Sequence, residues 1–411
     1  MNEENRLDED DHRRLGQELD LFVMSPLVGS GLPLFTPRGV ILRDELAGYS
    51  NELREARGFR KVWTPHITKN DLYKASGHWD KFGNELFLVK SQETSDQMVL
   101  KPMNCPHHIQ IYASRPRSYR ELPIKFIETT TDYRDEKTGE LQGLSRVRSL
   151  TQDDSHAFCR EDQIEEIVED LIDATKELYK TIGMGLKVRL SFKDDGPGYL
   201  GSDDLWQHAQ AIMEEQAKKS GLEYFVGEGE AAFYGPKIDF MAQDVLGRSW
   251  QVATVQLDFV MPGRFKLEYV DEEGVGKTPV MVHCALLGSI ERFLSVYIEH
   301  TAGRFPVWLA PEQLRIATLN QDDKIVAHAN ELCKQAIKAG LRAEVDDSND
   351  TVGKKIRDAE TAKVPFTVVI GNKEIENSHL TARSRSDLKE LPSMQADELF
   401  AKISDLAKNR E

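Results

Sequence analysis

Cysteine is scarce in this chain: Cys105, Cys159, Cys284 and Cys333 are the only four in 411 residues, they stand far apart, and none forms a CxxC pair. That argues against a disulfide framework and against a local zinc ribbon. No apolar run approaches the roughly 18–20 residues that a membrane helix needs, and the acidic stretch from Met1 to Arg14 lacks the apolar core of a secretory signal. The expectation is no membrane and a reducing, cytoplasmic setting. Positive charge is in deficit, 53 Lys and Arg against 69 Asp and Glu for a net charge of −16, so the electrostatic footprint of a DNA binder is missing. RNA is not excluded. From Pro311 to Glu411 the count is 16 basic against 18 acidic residues, which makes the C-terminal part the less repelling surface for a polyanion. The HExxH general-base signature of a zinc hydrolase is also absent.

What is present is a globular composition, 40% hydrophobic with a mean hydropathy of −0.49, long enough for two or three domains. Leu42, Leu46, Tyr49 and Leu53 fall at helical spacing. Val62 to Ile67 reads as a short strand interrupted by Pro65. From Glu85 to Phe158 the pattern is one of short β segments, including Pro123–Thr131 and Leu144–Leu150 with a turn near Lys137–Gly139, as in an antiparallel sheet. Ile164, Ile167, Val168, Leu171, Ile172, Leu178, Tyr179 and Ile182 form one apolar helical face. Further strands are expected at Lys187–Phe192, Lys237–Met241, Ser249–Phe259 and Thr278–His283, and a helix from Ala285 to His300. Beyond Phe305–Pro311 the pattern turns to alternating β and α, with Val326, Ala329, Cys333, Ala336 and Ile337 on one helix face. The expected organisation is a domain over 1–304, a linker over 305–311 and an α/β domain over 312–411.

Chemistry gathers between Phe126 and His156, where Arg134, Glu136, Arg146 and Arg148 alternate with carboxylates along paired strands. Several charges on one sheet face are costly unless a charged ligand or solvent meets them. Arg134-x-Glu136 on a strand–loop–strand, the Pro65 segment after a long helix, and Gly288-Ser289-Ile290-Glu291-Arg292 opening a helix resemble motifs 2, 1 and 3 of the class II aminoacyl-tRNA synthetases. Together with Lys101-Pro102-Met103-Asn104-Cys105-Pro106, Thr151-Gln152-Asp153-Asp154-Ser155-His156, Phe233-Tyr234-Gly235-Pro236-Lys237 and Thr254-Val255-Gln256-Leu257-Asp258-Phe259, the chain resembles the threonyl branch of that family.

The resemblance implies an α+β fold: a six- to seven-stranded antiparallel sheet flanked by helices, then a smaller α/β anticodon-binding domain. It implies a homodimer that joins threonine to threonine tRNA at the expense of ATP. Arg134 then matches the α-phosphate clamp and Arg292 the γ-phosphate contact. Glu136, Arg146, Leu150, Gln251 and Thr254 complete the ATP set, with Mg2+ accompanying the phosphates. Met103, Gln152, Asp154, Tyr234, Lys237 and Gln256 match substrate positions, Asp154 holding the threonine ammonium. One Zn2+ per chain is implied, on Cys105, His156 and His283, ligands about 51 and 127 residues apart that no local spacing reveals; His107 and His108 are rivals. Asn349, Arg357, Glu374 and Arg383 match positions that read the anticodon.

Departures from the family pattern are Leu150, where an aromatic often stacks under adenine, and Cys284, where arginine is usual. Motif 3 keeps Gly288 of a more glycine-rich general pattern. The family's N-terminal editing region lies ahead of these blocks, so the expectation is a core that forms seryl-tRNA and does not hydrolyse it in cis. The rival reading is a non-ligating relative that keeps the fold and binds tRNA; the presence of all motif and metal positions favours the ligase.

Overall fold

In the computed structural model, which describes residues 10–243, 247–377 and 379–411, the chain forms two compact units. One holds residues 24–33 and 47–297, and the other holds 10–23, 34–46 and 298–411. The acidic lead up to Glu9 lies outside the described residues.

The larger unit is built on an eight-stranded sheet: β1 (Arg60–Lys61), β2 (Ile124–Tyr133), β3 (Ser149–Cys159), β4 (Lys187–Phe192), β5 (Tyr224–Glu228), β6 (Lys237–Gln243), β7 (Ser249–Asp258) and β8 (Val280–Ser289). Their spatial order is β5-β4-β6-β7-β8-β3-β2-β1. The six inner strands pair antiparallel, and parallel pairings add β5 at one edge and β1 at the other. The sheet therefore exceeds the expected six or seven strands, because short segments join it in parallel at both edges.

Helix Ile164–Thr181 lays its buried Ile167, Val168, Leu171, Ile172 and Leu178 on one face of this sheet, against β7 and β8. Helix Asp203–Ser220, which hydropathy did not single out, packs beside it. With one face covered by helices, the opposite face is free to carry polar residues. β8 is buried along Val280–Leu287, as a central strand should be, and apolar there except at His283.

Four expectations need correction. Cys105–Ala113 is a helix inside the stretch read as β, because Pro106 near its N-terminus lacks the N–H that the first turn leaves unbonded. Val62–Ile67 is not one strand: β1 ends at Lys61 and pairing resumes only over Ile67–Lys69, with Pro65 between. Leu144–Leu150 is mostly loop, the strand running instead over Ser149–Cys159. The segment from Ala285 stays extended to Ser289, and the helix begins only at Ile290. Here three residues, 286–288, bulge opposite Asp153 alone, whose carboxylate accepts the amides of Leu286 and Leu287. Gly288 ends the bulge at φ +66°, where an added Cβ would stand 2.7 Å from the Val252 carbonyl oxygen.

The smaller unit has a four-stranded sheet of Ala343–Asp346, Leu314–Thr318, Phe366–Ile370 and Ala382–Ser384, in that order. The first three run parallel and the last antiparallel. On its helix Asp323–Lys338 the buried face is Ile325, Ala329, Leu332 and Ala336. Ile337 is exposed and Val326 and Cys333 sit at the flank, so the apolar stripe is rotated by about one residue from the sequence reading.

A candidate nucleotide and metal site on the open face of the sheet

Pairing register alone assembles most of the site. Lys237, Gln256, His283, His156 and Phe126 lie opposite one another in a single line across β6, β7, β8, β3 and β2. The adjacent line holds Asp239, Thr254, Ala285, Asp154 and Glu128. Side chains two apart share a face, so these rows place imidazoles, carboxylates and amides side by side on the open face.

Cys105, His156 and His283 each offer a ligand atom, all within 4.8 Å of one another, and all three residues are buried. The two rings meet edge to face at 4.7 Å. One nitrogen of each ring has a partner of its own: His283 Nε2 lies 3.0 Å from Asp258 Oδ2, and His156 Nδ1 lies 2.8 Å from His108 Nδ1. Outer partners of that kind fix the tautomer of a metal-bound histidine. Burial pushes the Cys105 thiol well up, and the carboxylates of Asp154, Asp258 and Asp132 push it further. Burial holds His156 well below its ordinary value, so it is a neutral donor. One cysteine sulfur and two imidazoles in a closely packed group are the donor chemistry that suits zinc, and three protein ligands leave a position for substrate.

Of the rival ligands, His108 is an outer partner that bridges His156, Asn104 and Glu128. His107 is buried with neither ring nitrogen hydrogen-bonded, and burial lowers it to about 4. His78, unmarked in the sequence, lies 3.8 Å from Cys105 Sγ through Nε2.

Beside the trio opens a cavity of about 290 Å3. All seven residues matched to ATP line it: Arg134, Glu136, Arg146, Leu150, Gln251, Thr254 and Arg292. Of the substrate positions, Met103, Gln152, Lys237 and Gln256 line it too. Tyr234 instead stacks on His283 at 5.1 Å and donates to Gln256 Oε1 at 2.8 Å, while Asp154 lies 3.7 Å from His156 Nε2, so both belong to the metal end. Burial raises Asp154, against the charges of His108 and His283. Gly235 is required next to Tyr234, since a Cβ there would stand 1.9 Å from the Leu257 carbonyl oxygen.

Three arginines converge here. Arg134 donates to the Pro102 carbonyl and packs over Phe82. Arg146 clamps Glu136 through Nε at 3.0 Å and Nη2 at 2.7 Å. Arg292 donates to the Ser145 carbonyl, and burial lowers it, followed by the charges of Arg134 and Arg146. Such crowding of cations is the mark of a polyanion site. Asp239 organises the far wall: its carboxylate receives Gln251 Nε2 at 2.8 Å and Thr254 Oγ1 at 2.9 Å and pairs with Lys237 at 3.0 Å. Sequence reasoning missed Asp239 because its role is visible only through the register of β6 on β7.

Leu150 is buried and lines the nucleotide cavity with an aliphatic side chain. Ring stacking contributes about 0.5–1.5 kcal/mol beyond area. If the cavity takes ATP beside threonine, as the resemblance implies, Leu150→Phe is expected to lower the apparent KM for ATP a few-fold and leave that for threonine nearly unchanged; an unchanged ATP constant in steady-state kinetics would show that other contacts suffice.

Asp132, opposite Leu150 in register, is fully buried, and neither carboxylate oxygen has a hydrogen-bond partner. Burial and then Asp154 raise it to about 8, against Lys101 and Arg134. A carboxyl raised in the folded state favours folding fully below its unfolded value of 3.8 and loses that contribution as pH climbs to 8. Asp132→Asn is thus expected to be more stable than the parent, by up to about 4 kcal/mol near pH 7, with the gap in melting temperature widening from pH 5 to pH 8. A gap that narrows over that range would refute the assignment.

In the smaller unit, Asn349 follows the strand Ala343–Asp346 and Glu374 follows Phe366–Ile370, both at the C-terminal edge of parallel strands. Arg357 is exposed on helix Val352–Thr361, and Glu374 accepts the Gly371 amide. Arg383 pairs with Glu360 at 2.6 Å and lines a separate cavity of about 560 Å3, which the other three do not line.

Comparison with known proteins gives this geometry a family. Residues 87–301 match the tRNA synthetase class II core domain (G, H, P, S and T), and 313–406 match an anticodon binding domain. The chain is 48% identical to the threonine–tRNA ligase of Gloeobacter violaceus over 382 residues, 91% of this chain and 61% of that protein. It is 46% identical to that of Deinococcus radiodurans over 404 residues, 97% of this chain and 62% of that protein. It thus spans about three-fifths of the length of the curated relatives it matches. A crystal structure described as the RNA binding domain of threonyl-tRNA synthetase from Cryptosporidium parvum superposes with a TM-score of 0.91 at 35% identity, covering 96% of this chain and 98% of that one. By fold, by motif and by these relatives, the chain belongs to the class II aminoacyl-tRNA synthetases, in the branch of the threonine–tRNA ligases.

Proposed function

We propose that this chain carries the catalytic and anticodon-binding parts of a threonine–tRNA ligase, acting on threonine, ATP and threonine tRNA. The observation that carries the reading is the junction of the Cys105–His156–His283 trio, within 4.8 Å, with a cavity lined by Arg134, Arg146 and Arg292. A zinc ion on that trio, when bound, would coordinate the amino and hydroxyl groups of threonine. Asp154 accepts a hydrogen bond from that amino group, and Tyr234 with Gln256 closes the pocket. The threonine carboxylate oxygen attacks the α-phosphorus of ATP in line, and pyrophosphate leaves. Arg134 meets the charge that develops on the α-phosphate, Arg292 holds the γ-phosphate, and Mg2+ accompanies the phosphates. Glu136 and Arg146 receive adenine. In the second step a hydroxyl of the terminal ribose attacks the carbonyl carbon of threonyl-adenylate and AMP departs.

Residues 312–411 would read the anticodon through Asn349, Arg357, Glu374 and Arg383, on unstacked bases that polar and guanidinium groups recognise at their edges. A homodimer through the motif 1 face is supported by Trp63, 78% exposed beside Pro65, since large exposed apolar side chains mark interfaces. No helix among the described residues is long and apolar enough to cross a membrane, and the reading places the enzyme in the cytoplasm. The test is threonine-dependent exchange of radiolabelled pyrophosphate into ATP. Exchange with threonine supports the reading, and its absence in metal-replete protein ends it.

A further inference from the structure

On the face of the large sheet turned away from the trio, Arg54 is fully buried. Its Nη1 donates to the Asp153 carbonyl at 2.5 Å, Nε to the Ser50 carbonyl at 3.1 Å and Nη2 to Asn51 Oδ1 at 3.0 Å; Nη2 also lies 3.8 Å from Asp153 Oδ2. The Asp153 carboxylate accepts the Ser50 hydroxyl at 2.5 Å and the amides of Leu286 and Leu287 at about 3.0 Å. Those amides are the bulge of β8. Upstream of it, Val280–Ala285 stay paired with β3 and carry His283. Downstream, it delivers Gly288, Ser289 and Arg292 to the nucleotide cavity.

Burial raises the Asp153 carboxyl, and the charge of Arg54 is the largest influence that opposes this. Arg54 is the cation beside that carboxylate, and Cys284 stands on the same side of the sheet. It faces Ser155 across the strands, and Ser155 shares its face with Asp153.

We propose that Arg54 is a positioning residue for the nucleotide end of the site, acting through Asp153 and the β8 bulge, and that a guanidinium entering from position 284 can take its place. This gives Cys284 a physical account. The residue at 284 is small and uncharged, and the positive charge arrives from the helix Pro37–Glu55 instead of from β8. The inference rests on the ATP-dependent reading above but concerns ATP alone, because the strand pairing that holds His156 and His283 lies outside the bulge.

The experiment compares the full chain, Arg54→Leu and Arg54→Leu/Cys284→Arg. Zinc content is measured, together with the Kd for ATP by calorimetry and the KM values for ATP and threonine in pyrophosphate exchange. Arg54→Leu is expected to weaken ATP at least ten-fold while zinc content and the threonine KM stay within two-fold. The double variant is expected to return the ATP Kd to within three-fold of the parent. General loosening of the fold would raise both KM values and release zinc, and that result would overturn the proposal. An unchanged ATP Kd in Arg54→Leu, or no recovery in the double variant, would overturn it equally. Should Arg54→Leu fail to fold, a soluble double variant with parental ATP affinity supports the proposal and an insoluble one refutes it. A parent that binds ATP without threonine-dependent exchange would sink the ligase reading and leave the ATP comparison decisive for Arg54.

Discussion

Cys105→Ala is expected to strip the protein of zinc and to lower threonine-dependent pyrophosphate exchange at least about 1000-fold, a loss of about 4 kcal/mol in transition-state stabilisation. The three donors come from a helix and two neighbouring strands, within 4.8 Å. Removing the thiol leaves two imidazoles, with Asp154 beside His156 and Asp258 beside His283. Two imidazoles alone can no longer hold a borderline-soft ion against solvent. ATP binding should survive, because the arginines that line the nucleotide cavity do not touch the trio. Metal analysis of the purified variant and the exchange assay together check this. Full exchange by metal-free protein would refute the zinc assignment.

The second large effect lies in amino-acid choice. Valine is nearly isosteric with threonine, and an apolar pocket separates such a pair poorly. A site whose buried groups need a hydroxyl rejects the analogue lacking it by about 10⁴–10⁵. With Asp154, Gln256 and the Tyr234 hydroxyl gathered near the trio, valine would leave polar groups and a coordination position unmatched. Its kcat/KM should therefore fall at least about 10⁴-fold below that of threonine. Serine keeps both groups and lacks one methyl, which separates the two by only about 1–3 kcal/mol, or 10- to 200-fold. Exchange assays with the three amino acids decide. Valine within about 100-fold of threonine would mean a pocket that reads shape alone, and undetectable serine would mean that more than the methyl is being read.

The apolar periodicity of Ile164–Thr181 and the strand Lys187–Phe192 were legible in the sequence, because one element's own spacing announces it. The bulge at 286–288 was not. A run such as Ala285-Leu286-Leu287 suits helix and strand alike, and only Asp153, more than a hundred residues away, decides for the strand. Burial of Arg54 was equally hidden, since a charged residue on a helix reads as solvated until the opposing sheet is known. The cavity residues were legible through family motifs and not through physics. What the coordinates add are the supports, Asp239, Asp258, His108 and Arg54, whose meaning depends on pairing register.

The direct opposition of His156 and His283 also has a consequence in time. The two rings lie 127 positions apart in the chain, and they face each other only when β8 has docked between β3 and β7. Non-local pairings cost loop-closure entropy before they reward it, so this histidine pair is expected to form after the local helices and hairpins during synthesis or refolding. A chain still emerging from the ribosome holds no competent pair until β8 is released. Metal capture would then act as a late latch on a sheet whose other contacts are already in place, and the kinetics of zinc uptake on refolding would time the closing of its centre.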